Sequence, residues 1–312
     1  MECPACHSQT GFSQVEKWLD YRLMCCGECG LTFSDPMRSA SQEYYEAGEP
    51  YGWHWAFDYF LGQGSGEGRT LLDVACGNGL FLAAAARRGY AGTGIDFNLD
   101  AIREAKEVHG VSDVHACTFQ EFRQKYPERR FDVITSFHTL EHLEAPDAFI
   151  AELKTLLAPA GRLIVVVPNP ERWQVRYRRN LGDYPPNHLT RWTAKSLQTL
   201  LTRNGLQITR TLTEKIEPHS ASDVLQVART VVSLQLATGV IARQKAEIGL
   251  GAASGNGSKQ KRLAMLRRLA SLKAPVTGAL SYMLVPVLYP YLRRRKLEGE
   301  DLVVEAAQGS AL

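Results

Sequence analysis

Two pairs of cysteines near the start of the chain have the spacing of a metal site. Each pair has two residues between its cysteines, Cys3 with Cys6 and Cys26 with Cys29, and residues 7–25 separate the pairs. Two such pairs can surround one ion tetrahedrally, as four thiolates do in structural zinc sites. Four thiolates leave no open coordination position, so the spacing predicts structural zinc and not a catalytic metal.

The alternative is that the four thiols are buried without a metal. A fifth cysteine, Cys25, precedes Cys26 and is expected to be a bystander, although it could compete with Cys26 for the ion. A ribbon this short has little core of its own, so metal binding would supply most of its folding energy.

A second group of residues indicates a ligand that contains adenosine. The stretch LLDVACGNGLF, residues 71–81, has an apolar run that includes Asp73 and then a turn with Gly77 and Gly79. Glycines at a strand–helix turn let the backbone approach a ligand closely. Asp96 follows about 20 residues later, where a carboxylate can accept hydrogen bonds from both ribose hydroxyls.

The sequence predicts a scaffold of alternating strands and helices that would position these residues. Predicted strands are TLLDVA, AGTGID, DVHACT, FDVITSFHTL, RLIVVVPN and LQITRTLT. Asn98 is the predicted N-cap of the helix after the second strand. Such alternation indicates a parallel, doubly wound sheet, in which ligands bind beyond the carboxyl ends of the strands.

The block from LLDVACGNGLF to GTGID resembles the class I S-adenosylmethionine-dependent methyltransferases, which have an Asp-ending strand, a glycine loop and an acidic residue after the second strand. A dinucleotide-binding turn requires a third glycine, and Leu82 stands in its place. Ala75 occupies a position where the family most often has glycine. Alanine costs little there unless the residue needs a positive φ, so this departure is expected to be minor.

Later segments resemble the same family in the same order, over residues 69–213. FDVITSFHTLEHL contains LEHL, which is common in the branch that includes ubiquinone-type O-methyltransferases. LLAPAGRLIVVVPN resembles the family's fifth-strand region, with Ala160 in place of a glycine. The cysteine box joined to this domain also resembles methyltransferases of sugar and polysaccharide pathways, including sugar C-methyltransferases.

The resemblance implies an α/β fold with a doubly wound, Rossmann-like sheet of seven strands, a small N-terminal zinc ribbon and a helical insertion before the last strand. The predicted parts are a zinc-ribbon-like module (1–35), a helical and linker segment (36–68), the S-adenosylmethionine-binding core (69–213), a helical insertion (214–299) and a final strand with its tail (300–312). The helix of the second part is expected to begin near Gly52, with Trp53, Phe57 and Phe60 on one face.

The same resemblance implies a set of cofactor-binding residues: Asp73, Ala75, Cys76, Gly77, Gly79, Asp96, Phe97, Thr118, Phe119 and Phe137. The backbone of residues 75–79 would hold the methionine part, with Asp73 anchoring that loop and Asp96 binding the ribose. Phe97 would pack on the adenine, with Thr118 and Phe119 at its edge and Phe137 along the other side of the cofactor. For each aromatic ring, a place in the core is the alternative.

Methyl transfer from a sulfonium needs alignment above all, and a hydroxyl or carbon acceptor also needs a base. Histidine suits that role at neutral pH. The candidates are His142 with Glu141, just past the fourth predicted strand, His188 in a proline-rich loop, and His138. The alternative is that Glu141 and His142 only cap the next helix and brace the loop.

Charge and composition bear on partners and location. The 36 basic and 33 acidic residues leave a net charge of only +3, so no nucleic acid is expected as a partner. No signal peptide precedes Cys3, and a cytoplasmic location is expected. Residues 274–292 are uncharged and basic residues extend to 296, which predicts either a buried cap or peripheral contact with the inner face of a membrane. Three prolines argue against a spanning helix.

The predicted acceptor is a small molecule or a glycan- or lipid-linked compound, methylated on oxygen or carbon. Two other functions stay open at this point. One is a zinc-ribbon binding or scaffold protein with an inactive methyltransferase domain. The other is a nicotinamide-dependent oxidoreductase, which the missing third glycine disfavours.

Overall fold

The structure is a computed structural model that describes residues 1–41, 44, 52–176, 180–216, 283, 286–287 and 297–309. Most of the predicted insertion 214–299, including most of the segment 274–296 predicted as a cap or membrane contact, lies outside these residues. The chain divides into two units: Met1–Pro170 with His188–Glu214 and Glu300–Leu312, and Glu171–Asn187 with Lys215–Gly299. Within the described ranges, no helix has the length and apolar character that crossing a membrane requires.

The described strands are β1 (Phe12–Trp18), β2 (Tyr21–Cys26), β3 (Thr32–Asp35), β4 (Thr70–Val74), β5 (Ala91–Asp96), β6 (Val114–Ala116), β7 (Phe131–Phe137), β8 (Leu157–Pro168), β9 (Thr190–Arg191), β10 (Leu206–Ile216) and β11 (Leu297–Gln308). The described α-helices are α1 (Trp55–Leu61), α2 (Leu80–Arg87), α3 (Leu99–Glu107), α4 (Phe119–Lys125), α5 (Pro146–Thr155) and α6 (Ala194–Arg203).

The larger sheet has seven strands in the order β10-β11-β8-β7-β4-β5-β6. Strands β4 to β8 pair in parallel, whereas β11 runs antiparallel to β8. The predicted doubly wound, seven-stranded sheet is therefore confirmed. Buried apolar residues predominate in the central strands, such as Leu71 and Leu72 of β4 and residues 163–167 of β8, because helices cover both faces of such a sheet.

A second sheet of four strands, in the order β1-β2-β3-β9, forms the N-terminal module. Its last strand, β9, comes from far along the chain and pairs antiparallel with β3. Cys3, Cys26 and Cys29 of the module are part of the same hydrophobic cluster that contains Leu140 and Trp192. The N-terminal module and the larger sheet therefore share one core within the first unit.

Helix starts follow the capping chemistry of the sequence. The predicted N-cap Asn98 is confirmed, since its side chain accepts hydrogen bonds from the N–H groups of Asp100 and Ala101. The helix predicted from Gly52 instead begins at Trp55. Trp53, predicted to share a helix face with Phe57 and Phe60, lies before the first turn and is 46% exposed, whereas Phe57 and Phe60 are buried.

Within the second unit, Trp173–Arg176 and Leu181–Asp183 form single 3-10 turns. The guanidinium of Arg172 forms an ion pair with Asp183, and both side chains are largely buried.

Candidate active site

The turn after β4, residues 75–79, lies at the carboxyl edge of the larger sheet, and we call it the cofactor loop. The N–H of Cys76 donates to the carbonyl of Ile95 at the end of β5 (3.0 Å). Gly79 precedes α2 with a φ of 74°, and a Cβ there would lie 2.8 Å from the Cβ of Ala105. That contact is too short for any side chain, so glycine is what lets α2 begin so close to α3.

Asp96, at the end of β5, holds the cofactor loop directly. One of its carboxylate oxygens accepts from the N–H of Gly77 (2.9 Å) and the other from that of Asn98 (2.8 Å). Asp73 was expected to anchor the loop, but its carboxylate instead accepts from Oγ1 of Thr135 on β7 (2.7 Å). The side-chain hydrogen bond that holds the loop is therefore made by Asp96 of the neighbouring strand β5, whereas the hydrogen bond of Asp73 connects β4 to β7.

Both of these carboxyl groups are buried, at 2% exposure for Asp73 and 6% for Asp96. Burial raises the pKa of Asp73 to about 8, although the bond from Thr135 works in the other direction, and the charge of Asp96 adds to the rise. Burial also raises the pKa of Asp96, against the bonds from the backbone. A cationic or hydroxyl-rich ligand beside them would offset this cost of burial.

The cofactor loop contains a strained alanine. Ala75 has a φ of 61°, in the left-handed region where a Cβ costs about 1–2 kcal/mol. The expectation that this departure from glycine is minor is therefore wrong, because the turn requires a positive φ at Ala75. Ala160 likewise has a φ of 60°. Each alanine that stands where the family has glycine thus adopts a conformation that favours glycine.

Aromatic rings border the cofactor loop on one side. Phe137, at the end of β7, packs edge-on against Phe57 of α1 (4.8 Å between ring centroids) and Phe81 of α2 (4.7 Å). Cys76 of the loop is buried in the same hydrophobic cluster. Phe137 thus packs between two helices beside the loop, and its contact with the cofactor stays a prediction.

The residues expected around the adenine differ in exposure. Phe97 is 38% exposed, so a ligand can reach its ring. Phe119 is 7% exposed and packs on Phe149 (5.9 Å between centroids), which corresponds to the core alternative. Thr118 is the N-cap of α4, in a capping box with Glu121. The adenine contacts of Thr118 and Phe119 stay predictions.

These features fit S-adenosylmethionine. Gly77 and Gly79 have φ values of 54° and 74°, in the region that favours glycine. Neither residue has a side chain that would cover the loop backbone. The sulfonium and ammonium of this ligand are cationic, and its ribose offers two hydroxyls, which suits the buried carboxyls of Asp73 and Asp96.

A second polar group follows β7, where Leu140–His142 form a 3-10 turn. We call Glu141, His142 and His188 the Glu141 cluster; one ligand atom of each lies within 4.8 Å of the others. Glu141 is 1% exposed, and among the described residues neither of its carboxylate oxygens accepts a hydrogen bond. His142 Nε2 lies 3.9 Å from Oε1 of Glu141, and the rings of His142 and His188 meet at right angles, 4.7 Å apart.

The predicted catalytic residues are therefore brought together from two distant segments of the chain. Helix α5, which follows, has Ala145 as its N-cap and no side-chain capping bond. The alternative in which Glu141 or His142 caps that helix thus differs from what the structure shows.

His138 connects the Glu141 cluster to a second carboxylate. Its Nδ1 lies 3.6 Å from Oε1 of Glu141 and its Nε2 lies 3.0 Å from Oδ1 of Asp301. Burial by itself would lower the pKa of His138, but Asp301 and Glu141 outweigh it and raise the pKa to about 10. Burial would raise the pKa of Glu141, but His138 and the other two histidines lower it to about 2. His138 is thus held as a cation, which makes it a poor base.

Sequence analysis missed two residues at this site, His54 and Asp301. His54 precedes α1, and its ring lies 4.8 Å from that of His138. Burial lowers the pKa of His54, and the charge of His138 lowers it further. Asp301 accepts from the N–H of Ala56 through its second oxygen (3.1 Å). No local pattern marks either residue, because they come from opposite ends of the chain.

The four predicted metal ligands also come together. Sγ of Cys3 lies 3.6 Å from Sγ of Cys29, that of Cys6 lies 3.5 Å from that of Cys26, and all four lie within 4.8 Å of one another. Zinc–sulfur bonds of about 2.3 Å in a tetrahedron put sulfurs about 3.8 Å apart, so the group fits one zinc ion. Burial raises the pKa of Cys3 to about 11, so a bound cation would be needed to keep its thiolate at neutral pH. Cys25 is outside the group.

The fold, the cofactor loop and the Glu141 cluster define a class of protein, an α/β enzyme that binds S-adenosylmethionine at the carboxyl edge of its sheet. A sequence model described as a methyltransferase domain matches residues 50–211. The chain belongs to this family and is a class I S-adenosylmethionine-dependent methyltransferase. The scaffold and oxidoreductase alternatives are therefore not favoured.

Named relatives agree with this class. The ubiquinone biosynthesis O-methyltransferase of Actinobacillus pleuropneumoniae serotype 5b is 38% identical over 114 residues, which cover 34% of this chain and 49% of the relative. That of Coxiella burnetii is 33% identical over 159 residues, 45% of this chain and 68% of the relative. The chain thus spans about half the length of the first of these relatives. A methyltransferase structure from Archaeoglobus fulgidus aligns over 86% of this chain and 94% of its own, with 18% identity and a TM-score of 0.48.

Proposed function

We propose that this enzyme methylates a hydroxyl or carbon nucleophile on a glycan, a glycolipid or a small metabolite. The observation that carries the proposal is the Glu141 cluster at the edge where the cofactor loop lies. Strand β7 pairs in parallel with β4, with Ser136 opposite Val74, so the segments after both strands leave the sheet together. The relatives named as ubiquinone O-methyltransferases support methylation on oxygen.

S-adenosylmethionine supplies a methyl group on a sulfonium, which is already a good leaving group. The residues of the chain therefore have to align the acceptor with that methyl and remove its proton. A neutral imidazole of His142 or His188 can accept the proton at its unprotonated ring nitrogen. The buried carboxylate of Glu141 would then stabilise the imidazolium that forms.

The proposal includes a structural zinc ion held by the four-cysteine group. Support comes from the sulfur distances and the paired spacing in the sequence. Metal analysis of the purified protein should give one zinc per chain, and a Cys29→Ser variant should lose it. Cobalt in place of zinc should show the absorption of a tetrahedral thiolate site, and its absence would contradict the assignment.

The acceptor class is tested with methyl-labelled S-adenosylmethionine and a cell extract, counting label in lipid, polysaccharide, protein and small-molecule fractions. We expect label in one fraction, with loss in a His188→Gln variant that still binds S-adenosylhomocysteine. His109→Gln is the matched control, since His109 lies after α3, away from the Glu141 cluster. Label that persists in the His188 variant would contradict the role of the cluster.

A cytoplasmic location with peripheral membrane contact through residues 274–296 is part of the proposal. Its support is the uncharged stretch 274–292 between basic residues. Deleting residues 274–292 should abolish co-sedimentation with anionic vesicles while S-adenosylhomocysteine still binds. Unchanged sedimentation would count against membrane contact.

A further inference from the structure

The short strand β9 belongs to the sheet of the N-terminal cysteine ribbon, residues 1–35. In the pairing of β9 with β3, Thr190 lies opposite Phe33 and Arg191 opposite Thr32. The N–H of Ser34 extends this ladder by donating to the carbonyl of Leu189 (2.8 Å). The backbone around residue 189 is therefore fixed by the ribbon.

Leu189 also contacts the Glu141 cluster, through its backbone N–H. The N–H of Leu189 donates to the carbonyl of Glu141 (2.7 Å), and Leu189 is 1% exposed. His188, the preceding residue, has its ring against that of His142. Leu189 thus connects the ribbon on one side to Glu141 on the other, and this places His188.

Side-chain packing strengthens the connection. Trp192, directly after β9, is fully buried in the hydrophobic cluster that also holds Cys3, Cys26 and Cys29. Leu140, the neighbour of Glu141, belongs to the same cluster. The residues that would bind zinc and the residues that support the Glu141 cluster therefore pack in one core.

The cofactor loop depends on different contacts. Cys76, Phe81 and Leu82 belong to a second hydrophobic cluster, which also contains residues of α1 and none of the ribbon. The N–H of Gly77 donates to the carboxylate of Asp96, and this hydrogen bond holds the loop to β5. Loss of order in the ribbon would therefore reach the Glu141 cluster first and the cofactor loop last.

We propose that the cysteine ribbon is a positioning element of the active site. With its metal bound, the ribbon holds β9 and so fixes His188 against Glu141 and His142; without the metal, β9 is released and methyl transfer stops while cofactor binding continues. This inference rests on the function proposed for the Glu141 cluster and for the four-cysteine site. Local release of this kind is expected because a two-residue strand at the edge of a sheet opens at a lower free-energy cost than the central strands of the larger sheet.

The test compares amide hydrogen exchange in the full-length protein before and after removal of zinc by a chelator. We expect the amides of Ser34 and Leu189 to exchange about ten-fold faster or more without zinc. Amides of the central strands β4 and β7 should change little, and the dissociation constant of S-adenosylhomocysteine should stay within about three-fold. Zinc added back should restore the slow exchange.

Variants give a second, independent comparison. Cys29→Ser removes one thiolate of the group and should reproduce the zinc-free exchange. Cys25→Ser is the matched control, since Cys25 lies in the same ribbon but outside the group. In the labelled-methyl assay, Cys29→Ser should lower kcat while the KM for the cofactor stays near that of the unaltered enzyme.

Two results would overturn the inference. Unchanged protection of Leu189 after zinc removal would show that the ribbon does not hold β9. Loss of protection in β4 and β7 together with loss of S-adenosylhomocysteine binding would show that the ribbon only stabilises the whole fold. Exchange and binding need no acceptor, so they decide this question even if the acceptor assay finds no product.

Discussion

The two halves of the proposed active site are built in different ways. The cofactor half comes from one continuous stretch, from Asp73 on β4 through the loop to Phe97 after β5. The acceptor half is assembled from separate segments around His54, Glu141, His188 and Asp301. The difference shows that a continuous strand–turn–helix can place a cofactor by local rules, whereas the acceptor half depends on long-range packing.

The electrostatics of the two halves also differ. In the cofactor half, burial raises the pKa values of Asp73 and Asp96, which meet hydroxyl and backbone donors. In the acceptor half, histidines lower the pKa of Glu141 and carboxylates raise that of His138. The cofactor half is thus suited to a ligand that brings positive charge, and the acceptor half carries its own compensating charges.

The largest effect is expected from removing the bond that joins the cofactor loop to β5. Asp96→Ala removes the acceptor for the Gly77 N–H and leaves that buried donor unpaired. We expect S-adenosylhomocysteine to bind at least about 30-fold more weakly, since the hydrogen bond from Gly77 and the hydrogen bonds from the ribose are lost together, at about 1–3 kcal/mol each. Isothermal titration measures this, with the exposed Asp100→Ala as control. Binding that survives within a few-fold would place the ribose elsewhere.

Glu141→Gln should separate the two halves. The neutral amide cannot stabilise an imidazolium, so kcat should fall by about 10²–10⁴-fold. The dissociation constant of S-adenosylhomocysteine should hardly move, because Glu141 is absent from the cofactor loop. Glu107→Gln, on the exposed side of α3, is the control. Parallel losses in kcat and cofactor binding would mean that the halves are not independent.

His138→Gln should destabilise the fold at neutral pH by about 3 kcal/mol, because it leaves two buried carboxylates without their cation. The pKa of His138 is raised in the folded state, so its stabilisation is complete below about pH 6.5 and is lost as pH rises towards about 10. Urea unfolding across this range measures the free energy of unfolding. A gap between wild type and variant that does not narrow with rising pH would contradict a charged His138.

Glu141 has the opposite dependence, because its pKa is lowered in the folded state. Its contribution should be present above about pH 4.5 and should be lost as pH falls through about 2. Acid unfolding of Glu141→Gln should therefore be flatter than that of wild type over this range. Equal slopes would show that the carboxylate is not charged in the folded protein.

The smallest effect concerns the strained alanines. Ala75→Gly and Ala160→Gly relieve about 1–2 kcal/mol of left-handed strain each and add about 0.5–1 kcal/mol of chain entropy to the unfolded state. Each should stabilise the fold by up to about 1 kcal/mol, measured by thermal or urea unfolding. Ala83→Gly, inside α2, should destabilise it by about 1 kcal/mol. A change of the free energy of unfolding in the same direction for all three variants would contradict left-handed strain at Ala75 and Ala160.

How much the sequence predicts differs between the two halves. The sheet, the glycine turn and the carboxylate after β5 follow from periodicity and from residues close in the chain. The sequence did not predict that Asp96, and not Asp73, accepts the hydrogen bond that holds the loop. Hydrogen bonds between neighbouring strands depend on their register, which the sequence alone does not show. The exposure of Trp53 was likewise not predictable from the sequence, because it depends on the residue at which α1 begins.

The sequence by itself determined the alternation of strands and helices, the glycine loop and the spacing of the cysteine pairs, because these are short-range properties. Only the tertiary structure decided that Asp301 and Glu141 flank His138, and that β9 joins the ribbon to His188. These contacts connect residues far apart in the chain, and their formation depends on burial in a shared core. Local sequence carries no signal for such contacts, so it indicated Glu141 and the candidate histidines one by one, and only the folded protein brought them together.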